Sequence, residues 1–131
     1  MQLEGLDHVV LTARDVQVTV DFYAHVLGMR VDIHEDPTHT FHYAEMYFGN
    51  QKINVHQAGH EFEPKALHPA PGTADWCFVT TASPEEVMQR LQAADVPILE
   101  GPVPRTGARG QMTSIYFRDP DQNLLEIAHY V

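Results

Sequence analysis

Residues 6–28 read LDHVVLTARDVQVTVDFYAHVLG. The stretch opens on a β-rich run in which Val9 and Leu11 alternate with His8, Val10 and Thr12. Alternation of that kind suits a strand with one packed face and one open face. Asp15 then stands where a helix N-cap belongs, with a short carboxylate that can accept from the free N–H groups of a first turn. Val16, Val20, Tyr23 and Leu27 recur at helical spacing. Gly28 supplies the C-terminal residue that tolerates left-handed backbone. The opening unit is therefore a strand followed by a capped helix.

Working outward, Met29–Glu35 alternates weakly as a strand and Pro37 closes it. Residues 42–48 and 51–57 flank Gly49-Asn50, a turn signal that makes them a hairpin. Residues 58–73 hold three prolines and two glycines and read as a long connecting loop. The order then restarts. Residues 75–81 are a strand candidate. Ser83-Pro84-Glu85-Glu86 is a helix start with a cap, a proline at the first position and acids in the first turn. Val87, Leu91 and Ala94 carry its apolar stripe. A short strand at 98–100 precedes a Gly/Pro-rich segment, Gly101 to Gly110, which reads as a loop. Residues 111–118 and 123–130 are strands around the turn Asp119-Pro120-Asp121. Strand, helix, strand, strand, strand thus occurs twice. The expected organisation is one domain with a first module over 4–57, a linker over 58–73 and a second module over 74–131. The repeat lies in pattern more than in letters.

Composition bounds the function. A chain of 131 residues with 44% hydrophobic content can bury a core without disulfides. Eight basic against 18 acidic residues give a net charge of −10, which argues against nucleic acid or an anionic membrane surface as a partner. Cys77 is the sole cysteine, excludes an internal disulfide, and sits in an apolar run as a small buried hydrophobe. No basic-then-apolar leader and no long apolar run are visible, so a cytoplasmic location is the expectation. Gly-rich phosphate loops, cysteine pairs and Gly-x-Ser-x-Gly are absent. Nine histidines remain to be explained. His25 suits a helix C-terminus. His34, His39 and His60 read as polar-loop residues, His42 and His129 as strand residues that border a cavity, and His68 as part of the long loop.

Several segments resemble the vicinal oxygen chelate superfamily of glyoxalases, bleomycin and fosfomycin resistance proteins and extradiol dioxygenases. Leu6-Asp7-His8-Val9-Val10-Leu11, Asp15, Asp21-Phe22-Tyr23 and Leu27-Gly28-Met29 look like its opening strand and helix. Tyr116-Phe117-Arg118-Asp119-Pro120-Asp121-Gln122-Asn123 and Leu125-Glu126-Ile127 look like its closing strands. Gln51–His56, Glu61–Ala66 and Glu100–Gly107 are closer to glyoxalase domain-containing protein 5 and its bacterial single-domain relatives. The resemblance implies an α+β fold in which two βαβββ modules form a cup-shaped mixed sheet around a metal-binding cavity.

Within that frame the strand periods turn His8, His56 and Glu126 inward, opposite Val9 and Leu11, Ile53 and Val55, and Leu125 and Ile127. Two imidazoles and a carboxylate suit one divalent ion, Fe, Mn, Ni or Zn, with positions left for substrate. Asp75, which shares a face with Cys77 and Val79, is a further ligand candidate. Tyr116 shares a face with Ser114 and can hydrogen-bond a substrate oxygen. Lys65, Arg105 and Arg109 bring positive charge to the two loops expected at the cavity mouth.

The implied activity is metal-dependent chemistry on a small molecule with adjacent oxygens. Extradiol ring-cleaving dioxygenation stands slightly ahead of a lactoylglutathione lyase-like reaction, and a metal-free bleomycin-resistance-type binding protein is the third reading. Dioxygenation lacks its usual upstream histidine, because no histidine lies between His68 and His129. The lyase lacks the glutamate of its Ile-Glu-Leu frame, where Ile53-Asn54-Val55 stands instead. A homodimer is expected, with Trp76 and Tyr130 as contact candidates.

Overall fold

A computed structural model describes residues 1–131. The elements, in chain order, are β1 (His8–Ala13), α1 (Val16–Leu27), β2 (Arg30–Glu35), β3 (His42–Phe48), β4 (Gln51–Gln57), β5 (Asp75–Val79), α2 (Pro84–Ala93), β6 (Glu100–Gly107), β7 (Gly110–Arg118) and β8 (Leu124–Tyr130). They fall into two compact units, Met1–Thr73 and Ala74–Val131. The fold is α+β with two four-stranded mixed sheets, as expected.

Unit 1 is a sheet of order β1-β4-β3-β2 with α1 against one face. Only β1 and β4 run parallel. Asp15 caps α1, accepting from the N–H groups of Gln17 at 3.0 Å and Val18 at 3.3 Å. Gly28 ends it at φ 71°, a left-handed conformation that costs glycine nothing. The helix buries Val16, Thr19, Val20, Tyr23 and Val26, so Val26 rather than Leu27 completes the stripe. Leu11, Ala44, Met46, Ile53 and Val55 meet it from the sheet. The opposite, helix-free face therefore carries the alternate residues of each strand. At the β2–β3 turn Asp36 is buried, and its carboxylate accepts from the backbone N–H groups of Thr38, Thr40 and Phe41 and from the Thr38 hydroxyl. Burial pushes its acidity the other way, but these donors win and hold the carboxyl well below the usual carboxylate range.

Unit 2 repeats the order, β5-β8-β7-β6, with β5 and β8 parallel. Ser83 caps α2, its hydroxyl accepting from the Glu86 N–H at 3.2 Å, and Pro84 opens the helix. Leu91 is the one α2 residue that is fully buried. The β7–β8 turn is tied by Asp119, which accepts from the N–H groups of Asp121 and Asn123 and from the Asn123 amide. Buried Asn123 accepts in turn from the Ala74 N–H at 2.9 Å, which fixes the start of β5.

The segment 101–110 corrects the sequence reading. Residues 100–107 are a strand, not a loop, and the short strand expected at 98–100 is its beginning. Pro102 and Pro104 suggest a loop because proline cannot donate to a ladder, but β6 is an edge strand, where no second ladder is required. The ladder shifts between Glu100 and Val103, so Gly101-Pro102 forms a bulge. Gly101 sits there at φ 112°, and a Cβ on it would lie 2.4 Å from the Ser114 carbonyl oxygen.

Candidate functional site

In unit 2 the chemistry lies on the helix-free face. Leu125, Ile115 and Phe117 are fully buried and Ile127 nearly so, which leaves Glu126, Tyr116 and Ser114 on the other side of their strands. The register aligns Cys77, Glu126, Tyr116 and Glu100 in one row across all four strands. The Glu126 carboxylate accepts from the Ser114 hydroxyl at 2.5 Å and has Tyr116 and Cys77 level with it on the neighbouring strands, while the Cys77 thiol donates to the Phe78 carbonyl. Arg105 on β6 donates from Nε to the Tyr116 hydroxyl at 3.0 Å and from Nη2 to Glu100 at 3.2 Å. Burial raises the Tyr116 phenol above its ordinary value. The Arg105 guanidinium opposes this and the Glu126 charge adds to it. The Cys77 thiol is pushed up to about 11, first by the partial loss of water around a sulfur that the sheet surface only half covers and then by the Glu126 charge, so it stays protonated near neutrality.

Two expectations are corrected here, on Cys77 and on the loop placement of Arg105. Cys77 is exposed, because it occupies the helix-free face of edge strand β5 rather than the packed one. Arg105 belongs to a strand, which holds its guanidinium against Tyr116, while Arg109 stays in the β6–β7 turn over the Tyr130 ring at 4.3 Å. Asp75 is exposed at the start of β5, level with Leu124 and two residues from Cys77. Trp76 lies on the packed side, half-buried, with its indole N–H unpartnered.

In unit 1 the helix-free face carries His8, Val10 and Thr12 from β1, Lys52, Asn54 and His56 from β4, and Tyr43, Glu45 and Tyr47 from β3. Asn54 stands level with Glu45 and Val10, and its side-chain oxygen is buried without a partner. His56 is level with Thr12, and one further step of the ladder brings it beside Tyr43. Burial lowers the basicity of His56, and Glu61 opposes the effect. Rings gather around it. Phe62 from the long loop meets His56 edge-on at 5.2 Å and Tyr43 edge-on at 5.1 Å, while Phe41 stacks on His60 at 4.4 Å. Phe62 remains 42% exposed. Lys65, in the same loop, pairs with Glu63 at 3.5 Å.

The structure does not bring His8 and His56 together. His8 is level with Lys52, four residues before His56 on the neighbouring parallel strand, and bonds Asp7 at 2.7 Å. Four strand residues span ~13 Å. Two imidazoles standing off a sheet, each bonding a metal at ~2 Å, do not close that gap. Period-two alternation is blind to this, because it fixes the face of a side chain and not its level along the sheet. No three His, Cys, Asp or Glu side chains are grouped closely enough to hold a metal ion. Glu126 lies in the other unit. Sequence reasoning also missed His34, which is in β2 rather than a polar loop and bonds Glu45 at 2.6 Å. The signal available was its place in the alternation of residues 30–35.

Known proteins carry the same frame. "Virulence protein STM3117" of Salmonella typhimurium is 47% identical over 131 residues, covering all of this chain and 88% of that protein. Its crystal structure matches with a TM-score of 0.90 over all of both chains. "Glyoxalase domain-containing protein RDO1" of Mycosarcoma maydis is 46% identical over 99% of this chain and 70% of its own length. "Putative ring-cleaving dioxygenase MhqE" of Bacillus subtilis is 44% identical over 54 residues, 39% of this chain and 17% of that protein. No helix is long and apolar enough to cross a membrane. The model of the Glyoxalase/Bleomycin resistance protein/Dioxygenase superfamily matches residues 5–127, and the chain belongs to that superfamily.

Proposed function

We propose that this protein is an enzyme acting on a small molecule with two adjacent oxygens, with ring-cleaving dioxygenation ahead of glyoxalase-type lyase chemistry. The observation that carries this reading is the row on the helix-free face of unit 2. There a carboxylate, Glu126, is ringed by the hydroxyls of Ser114 and Tyr116, and Arg105 stands behind Tyr116. Such a set binds and orients an oxygen-rich ligand through charge-assisted hydrogen bonds. The aromatic side chains around His56 in unit 1 favour a ring-bearing substrate over a hemithioacetal. Asn54, standing where the lyase frame has glutamate, argues the same way because an amide is no base.

Donors of the right chemistry for a divalent ion stand in each unit by itself, His8 and His56 in unit 1 and Glu126 in unit 2, where Asp75 lies within its diagonal reach across the β5–β8 pair. His56 is too far along the sheet from His8 to join it, so its role in this reading is with the ring of the substrate. When bound, such an ion would stabilise negative charge on two neighbouring substrate oxygens. Tyr116, held by Arg105, would donate a hydrogen bond to one of those oxygens. Arg105 keeps the hydroxyl oriented by occupying one of its lone pairs.

The test is a pair of assays. Protein loaded anaerobically with Fe(II) is given 2,3-dihydroxybiphenyl and O₂, and protein loaded with Ni(II) or Zn(II) is given the methylglyoxal–glutathione adduct. A yellow ring-fission product with matching O₂ uptake is expected, and Glu126→Gln should abolish it. Turnover in the second assay alone would reverse the order. Ligand binding with no turnover in either would leave a binding protein of the bleomycin-resistance kind.

A further inference from the structure

Asn54 stands on β4 in the middle of the helix-free face of unit 1, and its amide oxygen is buried without a hydrogen-bond partner. Polar atoms taken out of water are almost always paired, because an orphaned one gives up its bonds to water and gains nothing in return. The residues around it account for the orphan. Level with Asn54 are Val10 on β1 and Glu45 on β3. Val10 is apolar and 53% exposed. The Glu45 carboxylate is an acceptor itself and is engaged with His34 at 2.6 Å. Neither has an N–H or O–H to give. Lys52 and His56, the next side chains along β4 on this face, do not bond the oxygen either. Two residues along a strand span ~7 Å. Asn54 is therefore one such step from Lys52, which is level with His8, and one step from His56. It lies between the imidazole of His8 and the rings gathered at His56, Tyr43 and Phe62.

A side chain kept here only to fill space would be apolar, since leucine has nearly the same size and leaves no acceptor unpaired. A buried acceptor that the protein itself does not satisfy fits a group that is completed by a ligand. Such a group selects strongly, because a ligand without a donor leaves it unpaired in the complex as well. We propose that Asn54 determines specificity, accepting a hydrogen bond from a hydroxyl or N–H carried on the ring of an aromatic ligand seated against Tyr43 and Phe62. The ring rests on the reading above, and the donor rests on Asn54 alone. The ligand keeps its proton, and Asn54 takes no part in bond breaking. A substituent that only accepts, such as a methyl ether, meets the amide oxygen lone pair to lone pair and is rejected. A neutral amide suits the place, since it takes the bond without adding a second negative charge beside Glu45.

The probes are 2-hydroxybiphenyl and 2-methoxybiphenyl, which share their rings and differ in one donor. Neither has adjacent oxygens, and EDTA is present, so no ion takes part in binding. By calorimetric titration, wild type should bind the hydroxyl probe at least about tenfold more tightly than the methoxy probe. Asn54→Leu should bring the two affinities within about twofold of each other, and its urea midpoint should stay level or rise because an unpaired acceptor is gone. Asn54→Asp keeps an acceptor at the same length and should retain a preference of about threefold or more. Phe62→Ala should weaken both probes alike, roughly 2- to 10-fold, and leave their ratio unchanged. In wild type, the carbon-13 signal of the Asn54 side-chain carbonyl should move further with the hydroxyl probe than with the methoxy probe. No binding or no preference in wild type, a preference that survives Asn54→Leu, a clear loss of stability in that variant, or equal carbonyl shifts with the two probes each overturns the inference. An Asn54-dependent preference without ring fission by the Fe(II)-loaded protein sinks the dioxygenase reading alone.

Discussion

The two units share one plan and differ in how they hold it. Both sheets have their first strand at one edge, parallel to the fourth, and both carry one helix. Yet α1 buries five side chains and α2 buries one. Unit 1 closes its β3–β4 hairpin with the exposed pair Gly49-Asn50, whereas unit 2 closes β7–β8 with the buried Asp119–Asn123 network. Their open faces also diverge, with imidazoles and rings in unit 1 and a carboxylate with hydroxyls and a guanidinium in unit 2. A repeated backbone thus constrains hydrogen-bond ladders and helix-facing apolar positions. The alternate residues on each strand stay free to specialise, because the fold does not depend on them.

The largest effect should come from the buried faces, where the units are most alike. Phe117→Ala in unit 2 should cost about 3–5 kcal/mol and Met46→Ala in unit 1 about 2–5 kcal/mol, since both are fully buried. Urea denaturation measures both, and a cost under about 1 kcal/mol for Phe117 would mean that unit 2, with its lightly buried helix, can collapse around the gap.

The hairpins should separate the units. Asn123→Ala removes the acceptor of the part-buried Ala74 N–H and one of the donors to the Asp119 carboxylate, and should cost about 1–3 kcal/mol. Asn50→Ala, on an exposed turn, should stay within about 0.5 kcal/mol. Equal costs by thermal denaturation would break the contrast between the two turns.

A smaller and pH-selective effect belongs to unit 1 alone. The donors around Asp36 depress its folded-state acidity, so its contribution is fully present above the ordinary carboxylate value of 3.8 and is lost as pH falls through the folded value. Asp36→Asn should therefore lower Tm at pH 7, with the gap to wild type narrowing only in strong acid. A gap that stayed constant from pH 7 to pH 2 would show that the turn depends on shape rather than on charge.

What was legible in the sequence follows the strength of local chemistry. Asp15 and Gly28 bracket α1, Ser83-Pro84 opens α2, and Gly49-Asn50 marks the first hairpin, because caps and turns are decided by the residues themselves. β6 was not legible. Its glycine and prolines are turn chemistry by composition, and only its position at a sheet edge makes them tolerable. Cys77 misled for a related reason, since an apolar neighbourhood in sequence does not tell which face of an edge strand is covered.

The candidate site divides along the same line. Period-two alternation alone determined that His8, His56, Tyr116 and Glu126 leave the helix-packed faces, because a strand's side chains must alternate. Which of them are neighbours is a matter of ladder register, set by hydrogen bonds between residues far apart in the chain. Tertiary structure alone aligned Glu126 with Tyr116 and Cys77, set His8 four residues from the level of His56, and joined His34 to Glu45. Sequence fixes the face because the cause is local. It leaves the level open because one strand's register depends on what every other strand has already paired with.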